Sequence, residues 1–185
     1  MRLTILDFET ANDHPASACS IGFVVFEEGV IIHEAIHLIK PDKAHAYFSP
    51  HNIEIHGIEP EMVLEAPSFE ELWPELVPWF RDTILVAHHA PFDMGVLNAL
   101  IQQYGISKPL VTYLDTVEIA RKMWPYLPNH KLNTVCAFLE IPLDHHEALS
   151  DARGSALILM NAMAQSDDFD IGSFINRLNL KERTL

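Results

Sequence analysis

Thr4-Ile5-Leu6-Asp7-Phe8-Glu9 is the stretch on which the fold turns. A short apolar run leads into two carboxylates separated by one aromatic residue. It reads as a buried first strand. Side chains two apart on a strand share a face, so Asp7 and Glu9 point the same way. Two unpaired carboxylates are costly to bury. The strand end therefore either meets water or binds a cation, and this pair alone does not choose.

Outward from that strand, residues 20–26 form a second strand and residues 30–39 a third, with a turn at Glu27-Glu28-Gly29. Short turns between them predict an antiparallel meander. Residues 41–60 read as loop. Ser68 ahead of Glu70 and Glu71 caps a helix running toward Phe80, with Pro74 and Pro78 disturbing it. Residues 83–87 form a fourth strand. Pro91 opens a helix through about Tyr104, which Gly105 closes. Residues 110–114 make a fifth strand. Helices follow over 116–124, 131–139 and about 148–164, with a short last one near Phe169. A meander followed by strands separated by helices predicts a mixed sheet with helices packed on it.

The chain has 185 residues, enough to bury a sizeable core, and shows no repeat or linker, so it reads as a single domain over 1–185. Its formal net charge of −14 argues against a protein that simply coats nucleic acid, unless cations are recruited locally. Cys19 and Cys136 sit in apolar surroundings and read as reduced, buried thiols. Met1 to Leu6 is too short for a secretory signal, and no apolar run is long enough to span a bilayer. A soluble cytoplasmic protein is expected, with no membrane partner.

Two further places carry chemistry. Asp93 lies in the first turn of the helix opened by Pro91, where the helix dipole by itself favours an Asp. His146 and Asp151 flank the start of the last long helix and share one site if that helix begins after the histidine. A capped, charged helix start is the plainer account. His145 beside His146 lacks zinc-ligand spacing to other His or Cys residues. Together, Asp7, Glu9, Asp93 and Asp151 with His146 form an oxygen-rich set that suits hard cations better than zinc.

This constellation resembles the DEDDh 3′→5′ exonuclease family, which includes the epsilon subunit of DNA polymerase III, RNase T and oligoribonuclease. The resemblance rests on Leu6-Asp7-Phe8-Glu9-Thr10, on Ala87-His88-His89-Ala90-Pro91-Phe92-Asp93 and on His146-Glu147-Ala148-Leu149-Ser150-Asp151-Ala152. Ile55-His56-Gly57-Ile58 and Lys131-Leu132-Asn133-Thr134-Val135 support it, and it covers about residues 3–165. It implies an α/β, RNase H-like fold: a mixed five-stranded sheet, three strands antiparallel and two parallel, with helices on both sides.

It also implies two Mg²⁺ or Mn²⁺ ions held by Asp7, Glu9, Asp93 and Asp151, with His146 as general base. The product is then a nucleoside 5′-monophosphate, released from the 3′ end of single-stranded DNA or RNA. Such ions stabilise the charge that builds during phosphodiester cleavage, and a neutral imidazole suits proton removal near neutral pH. By motif position, Phe8, Thr10, Ile55, His56 and Phe92 are expected around the terminal nucleotide. His89 stands where the family often has Asn, which bears on substrate positioning. The sequence does not choose DNA or RNA, nor a polymerase or homodimer partner. Two other readings compete: a polymerase-associated or regulatory binding subunit with the same fold, and a hydrolase using a single metal.

Overall fold

The computed structural model describes residues 1–168 and 170–185. Strands β1 (Arg2–Thr10), β2 (Ala18–Glu27) and β3 (Val30–Leu38) form the expected antiparallel meander. Glu28 and Gly29 take positive φ angles of 50° and 89°, which the tight turn between β2 and β3 requires. β4 (Ile84–Ala87) runs parallel to β1, and β5 (Thr112–Asp115) parallel to β4.

The sheet has six strands rather than five, in the order β3-β2-β1-β4-β5-β6. The extra strand, β6 (Arg183–Thr184), pairs antiparallel with β5. Two residues carry no periodicity to read, and the Arg183–Glu118 ion pair at 3.0 Å ties this end of the chain down.

Alternation along β1 decides what each face meets. Leu3 and Ile5 pack into a core with Ala152, Ala156 and Leu159 of helix α6 (Ala148–Gln165). Leu6 and Phe8 face the opposite core, with helices α2 (Phe69–Leu76) and α3 (Pro91–Gln103). Helices α4 (Thr116–Met123), α5 (Leu132–Phe138) and α7 (Ile171–Leu178) contribute to the α6 side. Helices thus cover both faces of the sheet. Asp7 and Glu9 continue the Leu3–Ile5 face, so period two aims both at α6. Gly22 pairs with Asp7 across β1 and β2. A Cβ at Gly22 would lie 2.2 Å from the backbone of Ala148 and Leu149, so the bare glycine lets the first turn of α6 sit on the sheet.

Several boundaries differ from the expectation. Residues 41–60 are not all loop: helix α1 (Pro50–His56) lies within them. Pro50 opens it and Gly57, with φ 70°, closes it by donating its N–H to the Ile53 carbonyl at 2.8 Å. α2 keeps its capping box of Ser68 and Glu71 but stops at Leu76 rather than running toward Phe80. Pro78 has no N–H with which to add the next helical bond. β5 starts at Thr112, and Leu110 is 95% exposed. The last helix is α7; Phe169, near which it was expected, lies outside the described residues. Cys19 and Cys136 are buried and free. Among the described residues no helix is long and apolar enough to cross a membrane.

Candidate active site

Each acidic group arrives by its own route. β1 aims Asp7 and Glu9 toward α6, as described above. α6 begins at Ala148, and its cap, Glu147, accepts the Ser150 N–H at 2.6 Å. That start places Asp151 one turn inside, 4% exposed and facing β1. One oxygen from each of Asp7, Glu9 and Asp151 lies within 4.8 Å of the others. Asp93 comes from the opposite face, in the first turn of α3. It is 1% exposed, and its Oδ1 accepts the Phe8 N–H at 3.0 Å. The two faces therefore meet at the end of β1, between Asp7 and Glu9.

The residues just before α6 are also drawn in. The His146 N–H donates to Asp151 Oδ2 at 3.1 Å, and His145 Nδ1 lies 3.0 Å from the same oxygen. The two imidazoles stack with centroids 3.8 Å apart. His146 takes a φ of 74°, an uncommon conformation for a non-glycine residue and one that costs backbone strain. His145, His146 and Asp151 form a second group whose donor atoms lie within 4.8 Å of one another. His145 has no metal-ligand spacing in the sequence; its contact to Asp151 comes from the turn.

Electrostatics follow from crowding. Burial, and then the charges of Asp93, Glu9 and Asp151, hold the Asp7 carboxyl well above its ordinary range. Burial and the facing Asp151 and Asp93 push Glu9 up to about 8. Burial raises Asp93 against the opposing pull of the Phe8 N–H. Asp151 is raised by burial and partly relieved by His145. His146 is lowered, by burial first and by His145 second, which favours its neutral form. This is an all-oxygen donor set with unmet negative charge, and it fits hard divalent cations.

A family profile described as an exonuclease of the RNase T type matches residues 4–159. The chain belongs to this exonuclease family. Asp7, Glu9, Asp93, His146 and Asp151, the residues on which the DEDDh resemblance rests, all lie within the matched span. It is 35% identical over 129 residues to the PolC-type DNA polymerase III of Bacillus cereus, which aligns 66% of this chain with 9% of that protein. The chain spans only about a tenth of the length of such curated relatives, 10% for the one from Oceanobacillus iheyensis. Among solved structures it is similar to exonuclease X in complex with 5′-overhanging duplex DNA. That match has a TM-score of 0.70 and 26% identity, covering 89% of this chain and 93% of that one. The nuclease domain of 3′hExo, a DEDDh family member bound to rAMP, shares the fold. Its TM-score is 0.76 at 18% identity, covering 98% of this chain and 96% of that one.

A cleft of about 700 Å³ opens over the acidic groups. His89, Phe92, His145 and His146 line it, together with Arg121, Asn129, Lys131 and Asn133. A second cavity of about 430 Å³ shares Glu9 and Phe92 with the first, and Thr10, Asn52, Ile55 and His56 line it. Of the residues expected around a terminal nucleotide, Thr10, Ile55, His56 and Phe92 thus meet in this second cavity, while His89 is in the first. Phe8 also lines the first cleft; its side chain is 2% exposed and packs into the core, and its backbone N–H bonds to Asp93.

His56 is fixed by α1. Its Nδ1 accepts the Ile58 N–H at 2.9 Å, which leaves Nε2 to donate to the Thr10 carbonyl at 3.2 Å. Asn52 Nδ2 donates to the same carbonyl at 2.8 Å. Asn52 went unnoticed in the sequence because the helix that presents it did; Pro50 and Gly57 were the available signals.

His88 lies in the stretch that leads to Asp93. It is half-buried, its Nε2 donates to the His130 carbonyl at 3.0 Å, and its Nδ1 meets the Thr116 hydroxyl at 2.9 Å. Burial lowers it to about 4, so it is neutral. Asp115 caps α4 through the Val117 N–H and also accepts the His89 N–H at 3.0 Å. These bonds tie the loop ahead of α3 to β5, α4 and the segment before α5.

Proposed function

We propose that this exonuclease removes nucleoside 5′-monophosphates one at a time from single-stranded 3′ ends, with Asp7, Glu9, Asp93 and Asp151 as ligands for two Mg²⁺ or Mn²⁺ ions. The observation that carries this reading is the convergence of Asp7, Glu9 and Asp151 within 4.8 Å, with Asp93 bonded to the backbone between the first two. Bound cations offset that charge and stabilise the negative charge building on the phosphoryl, attacking and leaving oxygens.

The protein's own groups supply the rest. His146 lines the cleft and takes the proton of the attacking water. Its N–H bond to Asp151 and its stack on His145 hold the imidazole in place. Water oxygen bonds to phosphorus as the bond from phosphorus to the upstream 3′ oxygen breaks. That oxygen is then protonated from solvent, leaving a shorter chain with a free 3′ hydroxyl. Thr10, Ile55, His56 and Phe92 surround the departing nucleoside, while His89 faces the phosphate.

The likeness to PolC-type polymerases favours a second reading, in which a polymerase is the partner and delivers the 3′ end. Incubation with 3′-labelled DNA and RNA oligomers and Mn²⁺ tests the activity. Labelled 5′-monophosphates are expected, lost in EDTA and in Asp7→Ala or Asp151→Ala chains that keep their circular dichroism. Undiminished release in EDTA rejects the reading. A chain that releases nothing yet copurifies with one polymerase favours the binding subunit.

A further inference from the structure

Among the described residues, the exposed rings are scattered except at one place beside the cleft. Tyr126 is 70% exposed and Phe138 42% exposed, and they contact edge to face with centroids 5.8 Å apart. Phe138 leans in turn on buried Trp124 at 6.2 Å, and Trp124 is anchored by its indole N–H to Gln165 at 3.0 Å. The loop that presents Tyr126 is stiff. Pro125 and Pro128 restrict it, the Leu127 N–H closes a turn on the Trp124 carbonyl at 3.2 Å, and His130 Nε2 reaches the same carbonyl at 3.0 Å. An exposed tyrosine is by itself ordinary. Here a rigid loop holds one out to solvent beside a second ring that is braced from the core.

This loop is continuous with the cleft wall. Asn129 and Lys131, on its far arm, line the cleft, as do Leu132 and Asn133 in the first turn of α5. Phe138 ends the same helix, six residues on, or about 9 Å at the helical rise. At the ~3.4 Å spacing of stacked nucleotides, that stretch beyond the cleft wall alone takes up about three residues of chain. Arg121 and Lys131 line the cleft, a local cationic edge on a chain of net charge −14. The second cavity holds no lysine or arginine in its lining and lies on the Glu9 and Phe92 side.

We propose that Tyr126 and Phe138 form a stacking platform for bases three or more nucleotides upstream of the cleaved bond. The inference rests on the proposed 3′-end reading, and it assigns the strand a direction: terminal nucleoside in the His56 cavity, upstream chain over Lys131 to the ring pair. Base–ring stacking is tolerant of sequence and is read as affinity rather than as chemistry. The platform therefore acts on chain length, with dinucleotides too short to reach it.

The test compares a thymidine dinucleotide with a thymidine octamer. Tyr126→Ala is expected to raise KM for the octamer about 10-fold with kcat unchanged, within the range for one lost stack. KM for the dinucleotide stays the same, and Tyr126→Phe, which keeps the ring, restores octamer binding. Equal KM values for wild type and Tyr126→Ala on the octamer overturn the platform, as does an equal rise on both substrates. If the wild type releases nothing from either substrate, the catalytic reading fails by itself. Anisotropy of a labelled octamer with Ca²⁺ then decides the platform separately. Affinity at least 5-fold weaker for Tyr126→Ala supports it, and unchanged affinity overturns it.

Discussion

Gly22→Ala is the most exacting test of how this site is assembled. An added Cβ would sit 2.2 Å from the Ala148 carbonyl carbon and the Leu149 nitrogen, and 2.4 Å from the Ala148 oxygen. All three are backbone atoms in the first turn of α6, so no side chain can swing aside. Ordinary contact begins near 3.4 Å, so strand and helix must separate by about 1 Å. Asp151 lies three residues further along that helix and moves with it, away from Asp7 and Glu9. Overpacking of this kind costs about 1–3 kcal/mol of stability. A displacement of ~1 Å at a reacting centre costs on the order of 10²-fold in rate. The expected outcome is a folded chain with a lowered Tm and kcat reduced about 100-fold on a labelled oligomer. Full activity with an unchanged Tm would show that α6 is not seated by Gly22, and the reasoning from that contact would fail.

Other outcomes follow from the same geometry. In the metal-free protein Glu9 is raised from 4.5 to about 8, so its contribution to stability is full below about pH 4.5 and is lost as pH rises through about 8. The metal-free Tm should therefore fall over that window, with Mn²⁺ restoring it most at the alkaline end; Glu9→Gln should flatten the fall, and an identical pH profile for the variant counts against the assignment. His146→Ala should lower kcat by about 10²–10⁴-fold with the Mn²⁺-induced rise in Tm retained, the pattern of a proton acceptor rather than a metal ligand. His88→Ala removes a half-buried ring bonded to Thr116 and His130 and should lower Tm by disconnecting the loop ahead of α3 from α4; a Tm equal to wild type would show that the ring is not structural.

Much of this arrangement is legible in the sequence because it depends on local periodicity. Period two along Thr4 to Glu9 puts Asp7 and Glu9 together, and the helix start after His146 puts Asp151 one turn inside α6. What could not be read depends on contacts between distant segments. The Phe8 N–H reaches Asp93 across 85 residues of sequence, and Asp115 caps its own helix while also holding His89. α1 was missed although Pro50 and Gly57 mark its ends, since seven residues with no buried side chain show no apolar stripe. His145 stood one residue from the better motif position, and only the positive φ of His146 reveals that both rings face Asp151. The apolar side chain of Phe8 follows Leu6 into the core, while its backbone N–H bonds to Asp93 where Phe8 lines the cleft.

Anomalous diffraction from crystals grown with Mn²⁺ tests the central claim most directly. Two peaks are predicted, bounded by carboxylate oxygens of Asp7, Glu9, Asp93 and Asp151. A single ion, or one seated on His145 and His146 away from β1, contradicts it.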